Sequence, residues 1–360
     1  MTPLSRAARA AGEMAFGARA APWTVSPGDF FTGSEELRGL FARLINARAD
    51  DVALVPAVSY GLATAAANIR LAPGQTILIL AEQFPSNVYA WRRMAEEQGA
   101  TLVAIADPPD GDHSAALLGA IEEQGDRLGL VACPHYHWAT GAAVDINAVG
   151  QRCRSLGAAF VLDVTQSLGA APLDAAEADP DFIACAGYKW LFGPYGLSYL
   201  YVAPRHQDGR PLEENWIARQ GAEDFTRLVD YQDAYAPGAR RFDMGERSSF
   251  FHVPMAAAAL RQILDWGVTN IADTLAAMND RIADVFAPIG FQPRARRLRG
   301  PHLMGLECDG AVDNALIEAL HANKIHLSVR GNSVRSAPHV YVDDYDLDRL
   351  AEVIARLGRN

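Results

Sequence analysis

The sequence predicts an α/β fold: a large domain with a mainly parallel sheet, and a smaller C-terminal α+β domain. Five short apolar runs are typical of buried parallel strands, at residues 76–80, 101–105, 128–133, 158–163 and 181–186. Helical segments alternate with these runs over short links, which favours a parallel sheet covered by helices. After about residue 250 the pattern changes to long helical tracts and a few short strands.

Helix signals lie between the apolar runs. Segments 85–100 and 145–158 each place apolar residues on one helical face, and Gly99 and Gly157 can end these helices. In the C-terminal part, two helical runs extend from residue 254 to about residue 287. Strands are predicted there at 326–331 and 340–342, before a last amphipathic helix at 346–358. We therefore expect a large domain over 25–248 and a small domain built from 1–24 plus 249–360.

Composition excludes several classes of function. The net charge of −11 argues against nucleic-acid binding, which needs a basic surface. No apolar run approaches the roughly 20 residues that span a bilayer, so we expect no membrane association. The four cysteines lie far apart without a CxxC pair, which indicates reduced thiols in a cytoplasmic protein. We predict no metal site.

Polar residues follow the apolar runs at the strand ends where ligands bind in such sheets. Asp163 ends one run, and Lys189 follows the next, 26 residues later. A buried salt bridge is one interpretation of this pair. The other is catalytic, because a desolvated amine becomes nucleophilic towards carbonyl groups and a carboxylate can keep a pyridine nitrogen protonated. Aspartate and lysine at adjacent strand ends are what pyridoxal 5'-phosphate (PLP) requires.

The run from Asp163 to Val202, which contains GYKWLFGPYG, strongly resembles the class V aminotransferase family of fold-type I PLP-dependent enzymes. That family includes cysteine desulfurases, kynureninases and isopenicillin N epimerase-like proteins, and the resemblance covers nearly the whole chain. It implies helices on both faces of the sheet and PLP as the cofactor. By this resemblance Lys189 forms the internal aldimine, Asp163 pairs with the pyridine nitrogen, and Gln166 contacts the phenolic oxygen of the ring.

Further site residues follow from the segment HYHWATG. His135 lies six residues before Gly141, where relatives place a histidine on the face of the cofactor. An ordinary loop histidine is the alternative interpretation. We expect Trp138 to line the substrate pocket, and His137 to lie behind it.

The phosphate group of the cofactor needs hydrogen-bond donors. Ser59, Tyr60 and Gly61 begin an alanine-rich helix, whose N-terminus suits a phosphate and can also take a serine cap. Tyr188 is a further candidate, as in kynureninase-like members. Ser248 falls where relatives carry an element donated by the partner subunit, so the resemblance implies a homodimer with shared active sites. A polar turn before a helix is the alternative for Ser248.

An amino-acid substrate needs an anchor for its carboxylate, and arginine supplies a planar, bidentate cation. Arg335 in NSVRSAPH matches the carboxylate arginine of the family best. Arg330 is the second candidate, with a surface charge as the alternative.

The reaction is predicted to occur at the Cα of an amino acid, and we favour an aminotransferase. No cysteine lies in residues 326–339, which disfavours a cysteine-dependent desulfurase. A C–S or C–C lyase without a catalytic cysteine comes second, and a racemase or epimerase third. A non-catalytic binding module of the same fold is a remote alternative, because both Lys189 and Asp163 are intact.

Overall fold

The computed structural model describes residues 1–357, and a seven-stranded sheet forms its centre. Its strands are β1 (Val52–Val55), β2 (Thr76–Leu80), β3 (Thr101–Ile105), β4 (Leu128–Pro134), β5 (Ala159–Asp163), β6 (Phe182–Ala186) and β7 (Ser198–Val202). The order is β1-β7-β6-β5-β4-β2-β3, and β7 runs in the opposite direction to the other six strands. The five predicted parallel strands are confirmed, and β1 and β7 extend the sheet beyond them.

Both faces of this sheet are buried except along the edge strand β3, and successive side chains of the inner strands alternate between two hydrophobic cores. Along β2, Leu78 and Leu80 belong to one core, and Ile77 and Ile79 belong to the other. A strand that is buried on both faces has apolar residues at successive positions, rather than an alternation of apolar and polar residues.

Helices cover the sheet and connect its strands. They are α1 (Arg6–Arg19), α2 (Thr32–Leu44), α3 (Val58–Asn68), α4 (Ser86–Gln98), α5 (His113–Gln124), α6 (Ile146–Leu156), α7 (Ala175–Ala178), α8 (His252–Trp266), α9 (Val268–Phe286), α10 (Asn314–Ala322) and α11 (Asp344–Leu357). Gly99 and Gly157 end α4 and α6 in the left-handed conformation, with φ of 67° and 68°. None of the helices within residues 1–357 combines the length and the apolar character needed to cross a bilayer.

A second, antiparallel sheet lies in the C-terminal part of the chain. Its strands are β8 (Gln292–Pro293), β9 (Met304–Glu307), β10 (Ser328–Arg330) and β11 (Ser333–Ser336), in the order β10-β11-β9-β8. This sheet shares a separate hydrophobic core with α9, α10 and α11. The N-terminal α1 packs on α8. The domain boundary at residues 248–249 stays a prediction.

Two details of the C-terminal part differ from the sequence prediction. The strand predicted at 340–342 is wrong: this segment is a turn, in which the Val342 N–H donates to the His339 carbonyl over 2.8 Å. Such a local bond replaces the ladder that a strand would need. The last helix begins at Asp344 rather than at residue 346, and its predicted end at Gly358 lies outside the described residues.

A buried ion pair ties the edge of the large sheet to the segment before α8. Arg38 on α2 and Asp243 are both fully buried and bonded to each other. Arg38 also donates to the Val52 carbonyl over 2.6 Å, and Asp243 accepts from the Leu54 N–H over 2.8 Å. The pair therefore satisfies outward-facing backbone groups of the edge strand β1, which would otherwise be buried without partners.

Candidate active site

A cavity opens at the carboxyl ends of β4, β5 and β6. Pro134 ends β4, Asp163 ends β5, and Lys189 follows the end of β6 by three residues; all three line this cavity. The start of α3, the loop residues Gln83 and Phe84, and the first turn of α4 also line it. The two residues that the sequence singles out therefore share one cavity, which we call the inner cavity.

Burial pushes both Asp163 and Lys189 towards their neutral forms. Desolvation raises the pKa of Asp163, and hydrogen bonds from Thr165 and the charge of Lys189 oppose this rise. Desolvation likewise lowers the pKa of Lys189, while the Asp163 carboxylate raises it and Arg335 lowers it further. An amine with a lowered pKa is a better nucleophile and base near neutral pH.

Thr165 fixes Asp163 and was not singled out by the sequence. Its N–H donates to Asp163 Oδ1 over 3.0 Å, and its own hydroxyl accepts from the Ala186 N–H over 3.2 Å. Thr165 therefore links the ends of β5 and β6 and also lines the inner cavity. The sequence signal that could have identified Thr165 is a hydroxyl residue two positions after Asp163, the carboxylate that ends β5.

The N-terminus of α3 faces the inner cavity and can bind an anion. Val58 and Ser59 line the cavity, and in the described chain no side chain caps this end of the helix. Free N–H groups and the positive end of the helix dipole favour a phosphate at such a place.

Tyr60 and Gly61, the other two residues predicted at this helix end, are not among the described residues that line the inner cavity. Burial and a hydrogen bond with Glu213 raise the pKa of Tyr60 to about 12. Gly61 is buried against β7, where an added Cβ would lie 3.3 Å from Leu200 Cδ1. In this chain Gly61 thus allows close packing of α3 on the sheet.

Tyr188 and Gln166 both line the inner cavity, as does the exposed Tyr195. The rings of Tyr188 and Tyr195 lie 4.6 Å apart. Gln166 accepts a hydrogen bond from Trp190 Nε1 over 3.3 Å, which orients its side-chain amide. These positions place Tyr188 and Gln166 within the cavity for which the sequence proposes them as ligands.

His135 lies beside the cavity rather than among the described residues that line it. Its ring stacks on Tyr136 at 4.2 Å, and Tyr136 lines the cavity. Burial lowers the pKa of His135 to about 3, so this histidine is neutral at pH 7, and its Nδ1 atom has no hydrogen-bond partner in the described chain. The stacking role predicted for His135 stays a prediction, and Tyr136 is a ring that sequence reasoning missed.

A second cavity adjoins the first, and we call it the outer cavity. Lys189, Gln166, Phe84 and Trp138 line both cavities. The Phe84 ring lies 5.4 Å from Lys189 Nζ and meets Trp138 edge-on at 5.8 Å. The amine of Lys189 thus stands where the two cavities meet.

Trp138 is held firmly in the wall of the outer cavity. Its indole N–H donates to the Glu82 carbonyl over 2.7 Å, and its own carbonyl accepts from Arg335 Nη1 over 2.7 Å. His137 is buried behind the wall, where its ring contacts Thr140 and the Ala81 carbonyl. Burial lowers the pKa of His137 to about 4.

Arg330 and Arg335 line the outer cavity together. Their Cζ atoms lie 5.2 Å and 6.0 Å from the centre of the Trp138 ring. The Nε atom of Arg335 is buried and has no hydrogen-bond partner in the described chain. Both arginines that the sequence names therefore lie on the cavity that Lys189 reaches.

Ser248 lies elsewhere in this chain. Its hydroxyl donates to the Phe30 carbonyl over 2.7 Å, in a groove between α1, α2 and α8. Its predicted contact with the cofactor site of a partner subunit stays a prediction.

Known proteins of one family resemble this chain in sequence and in fold. The family model described as Aminotransferase class-V matches residues 27–349. The uncharacterized aminotransferase YcbU of Bacillus subtilis (strain 168) is 28% identical over 324 residues, which cover 89% of this chain and 83% of that protein. A kynureninase of Deinococcus radiodurans is 31% identical over 220 residues, which cover 60% of this chain and 50% of that enzyme.

Among solved structures, the cystine C-S lyase C-DES in complex with its product cysteine persulfide superimposes with a TM-score of 0.82. The sequence identity is 19%, and the match covers 99% of this chain and 94% of that one. At this identity the likeness shows a shared fold.

The opposite charges around Lys189 allow a direct test of its environment. We expect Arg335→Gln to move the pH midpoint of Lys189 labelling upward, because this change removes a positive charge that lowers the pKa of the amine. Asp163→Asn should move the midpoint downward, because the lost carboxylate favours the ammonium form. Reductive methylation of the cofactor-free protein across a pH series, followed by peptide mass mapping, gives both midpoints.

Lys324 is the other lysine of the sequence and reports reagent activity in the same sample. Midpoints that move in the same direction in both variants, or not at all, would contradict the charge environment described for Lys189.

Proposed function

The chain belongs to the class-V aminotransferase family, and on this premise we propose that it is an aminotransferase that acts at the Cα of an amino acid. PLP is the cofactor, and the fold is that of the fold-type I PLP-dependent transferases. The observation that carries the proposed reaction is the position of Lys189, because this residue lines both the inner and the outer cavity. It can therefore serve the cofactor on one side and the substrate on the other.

The residues of the inner cavity fit PLP. A phosphate suits the uncapped N-terminus of α3, where Ser59 lines the cavity, and the Tyr188 hydroxyl is a further donor. We assign the pyridine nitrogen to Asp163, which is 7% exposed and held by Thr165, and the phenolic oxygen to Gln166. Lys189 supplies the amine that holds the cofactor covalently. When bound, PLP supplies an electron sink for charge that develops at Cα.

Lys189 is also the proton carrier in this proposal, once the substrate amine has taken its place on the cofactor and released its side chain as a free amine. Its lowered pKa favours a neutral amine, which can take a proton from the substrate Cα and return it to another carbon atom. The buried histidines nearby do not compete as acids at neutral pH, because burial lowers the pKa of His302 and of His339 to about 4.

Arg335 anchors the substrate carboxylate in the outer cavity. One of its terminal nitrogens is bonded to the Trp138 carbonyl, which fixes the guanidinium while its other donors stay available. Arg335→Lys keeps the charge but loses the planar fork, so lysine is a poor replacement there.

Cysteine-dependent desulfuration is disfavoured by the positions of the thiols. In residues 1–357 no cysteine lines either cavity. Cys133, Cys153 and Cys185 are buried, and burial raises the pKa of all three thiols. Cys308 contacts the Gly310 and Asn332 carbonyls, away from Lys189.

A lyase that needs no cysteine is the second candidate. It is favoured by the likeness to a kynureninase and to a cystine C-S lyase. A lyase of this kind would also need a base at the substrate Cα and a carboxylate at the pyridine nitrogen of the cofactor, so Lys189 and Asp163 would keep their roles.

The products separate these reactions. We expect the PLP-loaded protein, given a panel of amino acids and a keto-acid acceptor, to form the matching keto acid and a new amino acid in equal amounts. Chromatography of the products measures both. Release of ammonia, sulfide or a cleaved side chain without an acceptor would instead identify a lyase.

We further propose that the active unit is a homodimer joined through the groove that contains Ser248. Met14, which lines this groove, is 76% exposed, and the nearby Phe16 and Trp23 are 66% and 82% exposed. Large apolar surfaces of this kind are typical of contact sites. A partner docked there would bring Ser248 close to a second chain.

Light scattering should then give twice the 38.8 kDa mass of the chain. Met14→Arg should yield monomers with reduced activity, whereas Tyr231→Arg, at an 89% exposed tyrosine outside the groove, should leave the dimer intact. A fully active, PLP-loaded monomer of the unmodified protein would refute the shared-site dimer.

A further inference from the structure

Arg335 is half-buried and Arg330 is exposed, and both differ from the buried Arg38 and the half-buried Arg294 in having no carboxylate partner. Arg38 is bonded to Asp243, and Arg294 to Asp107. Within residues 1–357, no Asp or Glu oxygen lies within ion-pair distance of Arg330 or Arg335, and no acidic residue lines the outer cavity. In the described chain no carboxylate therefore offsets the two guanidinium charges beside Lys189, and Met1, whose terminal ammonium adds positive charge, lines the same cavity.

The hairpin of β10 and β11 places both charges on one face. Arg330 pairs with Ser333, and Ser328 pairs with Arg335. Because side chains two residues apart share a face of a strand, Arg330 and Arg335 are diagonal neighbours on the same face. Like charges at such positions repel each other, and an anion between or beside them would offset that repulsion.

Trp138 lies beside both guanidinium groups. Both lie against its indole ring, and Arg335 is bonded to its carbonyl. The Arg330 Nη1 atom donates only to the neighbouring Val329 carbonyl, over 2.7 Å, among the bonds of the described chain. Its remaining donors are free for a ligand.

The two arginines stand at different depths relative to Lys189. The charge of Arg335 lowers the pKa of Lys189, and the charge of Arg330 lowers the pKa of Arg335. Arg330 is also the more exposed of the two. The order from the reacting amine outward is therefore Lys189, Arg335, Arg330.

We propose that the substrate is an acidic amino acid, with its α-carboxylate on Arg335 and a side-chain carboxylate on Arg330. This inference rests on the proposed function, because it takes Lys189 as the amine that reacts at Cα. Arg330 is then the residue that selects for the charged side chain. A single carboxylate clamped by both arginines is the competing arrangement, and it predicts no preference for acidic side chains.

Matched acid and amide substrates distinguish the two arrangements. We expect kcat/KM of the PLP-loaded protein to favour L-glutamate over L-glutamine, or L-aspartate over L-asparagine, by at least about tenfold, which corresponds to about 1.4 kcal/mol. Arg330→Gln should reduce this ratio to within about threefold. Arg335→Gln should lower kcat/KM for the acid and the amide alike. Arg127→Gln makes the same charge change at an exposed arginine directly before β4. This position lies at the amino end of β4, whereas the cavity lies at its carboxyl end, so the variant should preserve the ratio.

Binding without reaction gives an independent readout. Glutarate should raise the melting temperature of the protein more than its monoamide does, and Arg330→Gln should remove that difference. An equal kcat/KM for acid and amide in the unmodified protein, or an equal loss of both in Arg330→Gln, would overturn the inference.

Failure of the proposed reaction would look different. If the acids change the cofactor absorbance more strongly than the amides do, but no keto acid forms, the aminotransferase proposal fails and the substrate inference stands. If keto acids form equally from acids and amides, the reaction stands and the substrate inference fails.

Discussion

Removal of Asp163 and Lys189 from water is the constraint on which the rest of the site depends. Each charge is costly in a desolvated place, and each partly offsets the cost of the other. Parallel pairing of β5 with β6 brings the two strand ends together, and Thr165 bonds one end to the other. The buried inner strands of the large sheet therefore hold one carboxylate and one amine in a cavity at their carboxyl ends.

The chain uses the guanidinium group in two contrasting ways. Arg38 is fully buried and neutralised by Asp243, and that pair secures the edge strand β1 and the segment leading to α8. Arg330 and Arg335 have no such partner in the described chain and face a cavity instead. A buried charge whose partner is removed destabilises a protein, whereas a charge left open on a cavity is available to bind a ligand. The fold thus keeps its structural cations and its proposed binding cations separate.

Much of this arrangement could be predicted from the sequence, because apolar runs and strand-end residues are local signals. The five parallel strands and the shared cavity of Asp163 and Lys189 follow from that pattern. The direction in which a side chain points after a strand end depends on packing with distant segments, which a local sequence pattern does not show. In this chain Tyr136 rather than His135 lines the cavity. Phe84 contacts Lys189, and Thr165 accepts a hydrogen bond from the Ala186 N–H; both contacts join segments that are far apart in the sequence. The segment 340–342 looks like a strand by composition, but its backbone bonds close a turn.

We propose that Lys189 holds the cofactor in the cavity that it shares with Asp163. Borohydride reduction of the PLP-loaded protein, followed by peptide mass mapping, tests it most directly, because the sequence has only two lysines. We expect a pyridoxyl group on the peptide that contains Lys189, and none on the peptide that contains Lys324. Modification of Lys324 in place of Lys189, or of neither lysine, would contradict it.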